Sequence, residues 1–304
     1  MYEKGQYSMK NSYKKFDGLA FDIINYIILT LLVIITVYPF YYILIYSISD
    51  TSMIHSGVTF LPAGFSLQSY KDVFALRGMA SGAVVSLTRT VLGTLLTVIC
   101  STFFSYIVTK KELIFRKSIY RFVIVSMYFN AGFIPWYLTM KALGLRNNFL
   151  VYILPGAVTA FYIILIKTFI EQMPPALEES AKIDGAGYIT IFVKIIFPLS
   201  KPIIATIAVF CAVAQWNAWT DNFFLVENPK LTTLQLILYN YLSQSQAISR
   251  ASSRELTQGG IVRQLSPQAI KMTMTMVVTL PILLVYPFMQ RYFVKGIMMG
   301  AVKG

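Results

Sequence analysis

The sequence predicts an all-α integral membrane protein of six transmembrane helices, and three observations carry that expectation. Hydrophobic residues make up 56% of the 304-residue chain and charged residues only 13%, with a mean hydropathy of +0.63. A soluble domain carries about 25% charged residues, so a water-facing surface cannot be covered by this composition. Six apolar runs each approach the roughly 20 residues that cross a hydrocarbon core about 30 Å thick. Lys and Arg gather in short connections between those runs, which is a topology signal. The net charge of +13 therefore does not argue for nucleic acid, whose binders cluster cations on one solvated face.

The polar N-terminal segment, residues 1–22, holds Lys4, Lys10, Lys14 and Lys15. The first apolar run, Ile23 to Ile48, exceeds the about 7–15 residues of a signal-peptide core and ends in YPFYYILIYS, so it reads as an uncleaved span. Tyr38, Tyr41 and Tyr42 suit a membrane interface. The other runs are Val84–Val108, Ile119–Leu138, Leu150–Ile170, Ile203–Val226 and Met272–Gln290. The transmembrane domain thus covers 23–290, followed by a tail at 291–304. Pro135, Pro155 and Pro281 fall within or beside these runs, where neighbouring helices can re-satisfy the freed backbone groups.

Orientation follows from the cations. The Thr109–Ser118 connection carries Lys110, Lys111, Arg116 and Lys117, whereas Ser49–Ala83 carries only Lys71 and Arg77. The positive-inside rule places the N-terminus in the cytoplasm, and six spans return the C-terminus there. The connection at 174–202 is then cytoplasmic and the long one at 227–271 external. The latter is rich in Ser, Gln and Arg; it is either a docking surface for an external partner or a solvated linker.

The 174–202 connection, PPALEESAKIDGAGYITIFVKIIFPLSKP, organises the rest. Pro174 and Pro175 suit a helix entry, because a first turn needs no amide donor. Glu178 and Glu179 fall where the helix dipole favours negative charge. Asp184-Gly185 is a break, since glycine takes the left-handed geometry of a C-terminal cap. A second helix is expected over Tyr188–Phe197, ended by Pro198. Leu177, Ala181 and Asp184 share one stripe, and Ser180, Ala181, Gly185, Ala186 and Gly187 keep the turn small. The product is an elbow that either inserts into a partner's cleft or remains a solvated connection.

This stretch resembles the EAA loop of type I ABC importer permeases of the carbohydrate-uptake, maltose-type group. Glu179-Ser180-Ala181 stands for E-A-A, Gly185 follows after three intervening residues, and Ile195-Ile196-Phe197-Pro198 stands for I-x-L-P after nine more. Ser180 and Phe197 are mild departures. Ile183-Asp184-Gly185-Ala186 resembles the IDGA common in the carbohydrate group. Gln215-Trp216-Asn217-Ala218-Trp219 is similar to a WN-containing segment of sugar permeases, and Gly300–Gly304 to the ending of a maltose-type subunit. FNAGFIPWYL at Phe129–Leu138 resembles permeases for complex oligosaccharides and uronate-containing polysaccharide fragments.

The resemblance implies a multi-pass subunit of a bacterial cell membrane and import of carbohydrate by alternating access. The implied partners are a second homologous permease, two ATPase subunits and an external solute-binding protein, besides membrane lipid. ATP and Mg would be held by the ATPases. This chain has no G-x-x-x-x-G-K-[ST] loop for phosphates, and it is expected to need no cofactor or metal and to be no enzyme. Glu178, Glu179, Ser180, Ala181, Asp184, Gly185, Ala186 and Pro198 would couple to an ATPase groove, and Val302, Lys303 and Gly304 would reach between the ATPases.

Polar residues at membrane depth are functional candidates: Arg89, Asn130, Gln215, Asn217, Asp221 and Asn222. Asn130, Gln215, Trp216, Asn217, Trp219 and Asp221 either line a sugar path, which needs hydrogen bonds and aromatic faces, or serve as interhelical glue and interface anchors. Arg89 either faces an aqueous cavity or reaches an interface. Cys100 and Cys211 lie in apolar runs without metal-ligand spacing, and His55 is the one histidine, so no catalytic set stands out. A secondary transporter or channel independent of an ATPase is the alternative; it would more often bury ionisable groups in mid-span.

Overall fold

The computed structural model describes the backbone of residues 3–54, 60–255 and 267–301, with side chains at 19, 21–54, 60–244 and 268–287. Among the described residues the chain is helical, and the one strand-like pairing is an isolated bridge between Ser49 and Phe65. Three segments can each cross a membrane unaided: Phe21–Ser47, Met79–Thr109 and Gln268–Pro287. Three further spans are bent pairs. Arg116–Tyr128 and Phe133–Ala142 meet at 120°, Phe149–Gly156 and Ala160–Glu171 at 43°, and Tyr188–Leu199 and Lys201–Asn217 at 77°. Up to six spans are therefore available by length and composition, three of them continuous helices and three only if each bent pair is taken as one span.

The chain forms two compact units, Met1–Val73 with Ile261–Met276, and Phe74–Gly260 with Val277–Gly304. The first holds α1 (Glu3–Ser47), most of α2 (Gln68–Ala75) and the start of α13 (Pro267–Ala301). The polar N-terminal segment is thus continuous with the first span in a single helix. Ile45 and Tyr46 pack with Ala269, and Ser47 shares a 2.9 Å hydrogen bond with the Tyr70 hydroxyl.

The second unit is built around α3 (Met79–Thr109), which packs against α6 (Ala160–Glu171), α10 (Lys201–Asn217) and α12 (Leu234–Glu255). The buried side of α3 is small and hydroxylic: Gly82, Ser86, Gly93, Thr97, Ser101 and Ser105. Lipid supplies no hydrophobic drive between helices, so close backbone approach and interhelical hydrogen bonds must hold them. Thr97 Oγ1 donates 2.8 Å to both the Gly93 and the Gly156 carbonyls, and Ser105 Oγ donates to Ser101 at 2.6 Å and across to Ile163 at 3.1 Å. A Cβ on Gly82 would lie 2.7 Å from Ile237 Cδ1 of α12 and 3.4 Å from the Thr232 carbonyl oxygen, so the Ile237 side chain would have to give way.

Two expectations change. The third span is broken at Phe129–Gly132, between α4 (Arg116–Tyr128) and α5 (Phe133–Ala142), where Gly132 takes φ +86°. The fifth ends at Asn217; Ala218 and Trp219 are non-helical before α11 (Thr220–Leu225). The 227–271 connection is also no bare linker. It carries the 22-residue α12, whose Leu234, Leu236, Ile237 and Leu238 are buried. Residues 256–266 of that connection lie outside the described residues.

Candidate functional site: an elbow and a buried ion pair

The elbow begins at α7 (Ala176–Ile183), with Pro175 at its N-cap and Glu178 and Glu179 in the first turn. It ends in a complete Schellman motif. Gly185 has φ +78°, its N–H donates 3.0 Å to the Lys182 carbonyl, and the Ala186 N–H donates 2.9 Å to Ala181. These two bonds satisfy carbonyls that a helix end leaves open, and they require a left-handed residue after the cap Asp184. Helical structure resumes with α8 (Tyr188–Ile191), passes through a π-helical turn at Phe192–Ile196, and continues as α9 (Phe197–Leu199), with Pro198 in the first turn of α9.

One face of the elbow is fastened down. Ala181, Ala186 and Phe192 pack on the cluster formed by Tyr106, Ile166, Ile170, Ile191 and Ile196. Lys110, just past the end of α3, pairs with Glu178, and its ammonium lies 3.8 Å from the Tyr106 ring centroid. Lys182 reaches Glu112 at 3.2 Å, and the Tyr106 hydroxyl donates 3.2 Å to the Tyr188 carbonyl. Burial pulls the Lys110 ammonium below its ordinary pKa, and the bond to Glu178 works against that shift. Glu112 is held below the usual carboxylate range by its own backbone N–H and then by Lys182, whose pKa the same pair raises.

The other face is free. Glu179, Ser180 and Asp184 are exposed, and so are the apolar side chains of Leu177, Ile183, Ile189 and Val193; Ile183 is 86% exposed. The coupling candidates thus divide by face. Glu178, Ala181 and Ala186 bind the elbow to its own chain, and Glu179, Ser180 and Asp184 look outward. Val302, Lys303 and Gly304 lie outside the described residues.

The second cluster centres on Arg89, which is 2% exposed. Its guanidinium grips Asp221 bidentately, Nη1 to Oδ1 at 3.1 Å and Nη2 to Oδ2 at 2.5 Å. Nε donates 3.2 Å to Gln215 Oε1, and Nη1 donates 3.1 Å to the Ala218 carbonyl. The Tyr152 ring lies 4.4 Å from the guanidinium carbon. Arg89 therefore does not reach for an interface; it lines a cavity with its guanidinium fully paired. It neutralises Asp221 and takes up the carbonyl that the break after α10 leaves without a helical partner. The group borders a cavity of about 300 Å³, also lined by Trp136, Thr159 and Tyr162.

Of the residues expected along a path, the structure brings Gln215 and Asp221 together here. Asn217 is exposed at the end of α10. Trp216 turns away and donates Nε1 to the Val278 carbonyl at 2.9 Å. Trp219 stacks on Tyr239 with centroids 4.1 Å apart. Asn130 Oδ1 accepts from the Gly132 N–H in the α4–α5 break. Tyr152 was not singled out from sequence, and nothing in its local pattern would have marked it. The Arg89–Asp221 pair had a usable signal: two opposite charges inside apolar runs.

Gly93 shows how tightly this cluster is built, because a Cβ there would sit 2.7 Å from the Gln215 amide. Gly93→Ala is expected to destabilise the protein by about 1–3 kcal/mol through overpacking. Thermal unfolding of the detergent-purified variant checks this, and an unchanged midpoint would mean that Gln215 swings away freely.

Broken helices around a cavity, with an exposed elbow beside them, are the features of a membrane-embedded subunit. Residues 93–299 match the model of the family described as binding-protein-dependent transport system inner membrane component, and the chain belongs to that family. Members are permeases of ABC transporters, and ATP hydrolysis resides on separate subunits. The chain is 35% identical over 285 residues to the polygalacturonan/rhamnogalacturonan transport system permease protein YtcP of Bacillus subtilis (strain 168), covering 93% of this chain and 98% of that one. It is similar, with a TM-score of 0.80 and 29% identity, to a chain in the crystal structure of a bacterial ABC transporter involved in the import of the acidic polysaccharide alginate, covering 91% of this chain and 98% of that one. A second crystal structure, of the bacterial alginate ABC transporter in complex with an alginate pentasaccharide-bound periplasmic protein, shares the fold at a TM-score of 0.54 and 14% identity, covering 90% of this chain and 93% of that one.

Proposed function

We propose that this chain is one of two homologous membrane subunits of an ATP-driven importer for oligosaccharides, with uronate-containing polysaccharide fragments as the favoured class. The full-length similarity to a permease for polygalacturonan and rhamnogalacturonan supports the substrate class most directly. In this reading the termini and the elbow are cytoplasmic, two ATPase subunits bind below, and a solute-binding protein docks outside.

The two faces of the elbow support the coupling role. The exposed face offers Ile183, Ile189 and Leu177 as apolar knobs beside the charged Glu179, a mixture suited to an ATPase groove. The inner face is fixed to the end of α3 through Lys110–Glu178 and Lys182–Glu112. Closure of the ATPase pair on ATP then moves the elbow and α3 together. Arg89 lies 20 residues before Thr109, the last residue of α3 and the neighbour of Lys110, about 30 Å away at 1.5 Å per residue. One helix thus joins the elbow to the wall of the cavity that Arg89 lines.

Co-purification tests the assignment. Tagged chain expressed with its transporter partners is expected to bring down a second permease and an ATPase, and the assembly to hydrolyse ATP. The purified chain alone is expected to hydrolyse none. Substrate uptake without any ATPase would favour a secondary transporter and end this reading.

A further inference from the structure

We propose that the basic depression between the α3–α4 corner and α6 is a binding site for the phosphate headgroup of an anionic membrane lipid. This goes beyond the transport reading, which assigns no role to these residues. The depression has a volume of about 440 Å³, and four cations line it: Lys111 in the corner, Arg116 and Lys117 in the first turn of α4, and Lys167 on α6. They converge from three separate segments, whereas a simple topology signal needs only to lie on the right side of the membrane.

The charges are unbalanced. Glu171 bridges Lys167 at 2.6 Å and Arg116 at 3.2 Å. It is the one carboxylate paired with any of the four, so three positive charges remain in excess among the described residues. Lys111 and Lys117 have no ion pair among those residues. The back wall, in contrast, is fixed. The Lys167 side chain is 9% exposed with its ammonium 4.1 Å from the Tyr120 ring centroid, and Arg116 Nε donates 2.9 Å to the Val108 carbonyl. Two ordered cations at the back and two unpaired ones at the mouth form a receptor for a phosphodiester. Basic pockets between spans at the cytoplasmic face recognise such groups.

The apolar lining favours a lipid over a soluble anion. Leu113 and Phe115 line the depression beside the cations, and Phe115 is 76% exposed and held at φ +59°. Large apolar side chains at the ends of spans lie where acyl chains begin, and free phosphate would gain nothing from them. The orientation proposed above places this lining in the cytoplasmic leaflet, the anionic one.

Native mass spectrometry of the full chain in lipid–detergent micelles tests the proposal, with the Lys111→Gln/Lys117→Gln double variant beside it. Both lysines are at the surface, so the fold is not at stake; a near-ultraviolet circular dichroism spectrum matching the parent's confirms this. Phosphatidylglycerol is expected to be retained over phosphatidylcholine at equal mole fraction, and the variant to lose about tenfold or more of that preference. Inorganic phosphate at millimolar concentration is expected not to displace the lipid. Equal retention of the two lipids, or an unchanged variant, overturns the proposal. So does displacement by free phosphate, which would make the depression a general anion site. Crosslinking of Lys117→Cys to an ATPase subunit instead of to a photoactivatable lipid, in the assembled transporter, would assign it to a protein contact. None of these readouts requires transport, so failure here leaves the importer reading standing.

Discussion

A Gly185→Val variant is expected to insert normally and to lose uptake. The reason is local. Gly185 sits at φ +78° with no atom within 4 Å of the place a Cβ would occupy, so the variant meets no steric clash with its surroundings. The cost is in the backbone. A β-branched residue forced into the left-handed region costs of order 1–3 kcal/mol, which matches the roughly 1–3 kcal/mol that the two Schellman hydrogen bonds supply together, so the cap loses its net stabilisation. The cap then opens, α7 changes direction, and Leu177, Ile183 and Glu179 no longer present one face. Gly185→Asn separates this account from a general intolerance of side chains. Asparagine accepts left-handed geometry far better than valine, so that variant is expected to retain most uptake. The measurement is vesicle uptake alongside membrane-fraction abundance. Full uptake by Gly185→Val would remove the elbow from the mechanism, and equal loss in both variants would point to side-chain bulk at the docking face instead.

The elbow was legible because its chemistry is contiguous. Two prolines, two first-turn carboxylates and Asp184-Gly185 lie within a dozen residues, and each acts on its own neighbours. The spans were legible as apolar runs but not as shapes. Hydropathy measures the cost of leaving a segment in water, and it is blind to a bend of 120° between α4 and α5. Asn130 and Gly132 were the available marks of that break, and Gly132 does take the left-handed φ it permits. α12 escaped for the opposite reason. Its second half reads SQSQAISRASSRE, a loop-like composition, yet the buried Leu234–Leu238 segment starts the helix and the remainder continues it. Arg89 and Asp221 were each conspicuous, but they stand 132 residues apart in sequence. Their pairing depends on how α3 and the α10–α11 break meet, which no local pattern encodes.

That pairing carries the largest stability effect expected here. Arg89→Ala strands Asp221 in a region where its carboxylate is only 14% exposed. It also strips Gln215 Oε1 and the Ala218 carbonyl of their donor. Breaking a buried pair from one side costs about 3–5 kcal/mol, because the remaining charge keeps its desolvation penalty without its partner. A protein of ordinary stability, about 5–15 kcal/mol, then loses a large share of its stability margin. Low yield after solubilisation and a midpoint lowered by many degrees are the expected readouts. Arg89→Lys is expected to fall between, since one ammonium cannot serve two carboxylate oxygens, an amide and a carbonyl in fixed directions. The double variant Arg89→Met/Asp221→Leu removes both charges and is expected to recover much of the stability lost by Arg89→Ala. Transport by that double variant then decides what the pair is for. Stable protein that still imports would make Arg89 and Asp221 a clamp on the broken helix alone. Stable protein that no longer imports would mean that the cavity wall needs its charges, and that the ion pair belongs to the path as well as to the fold.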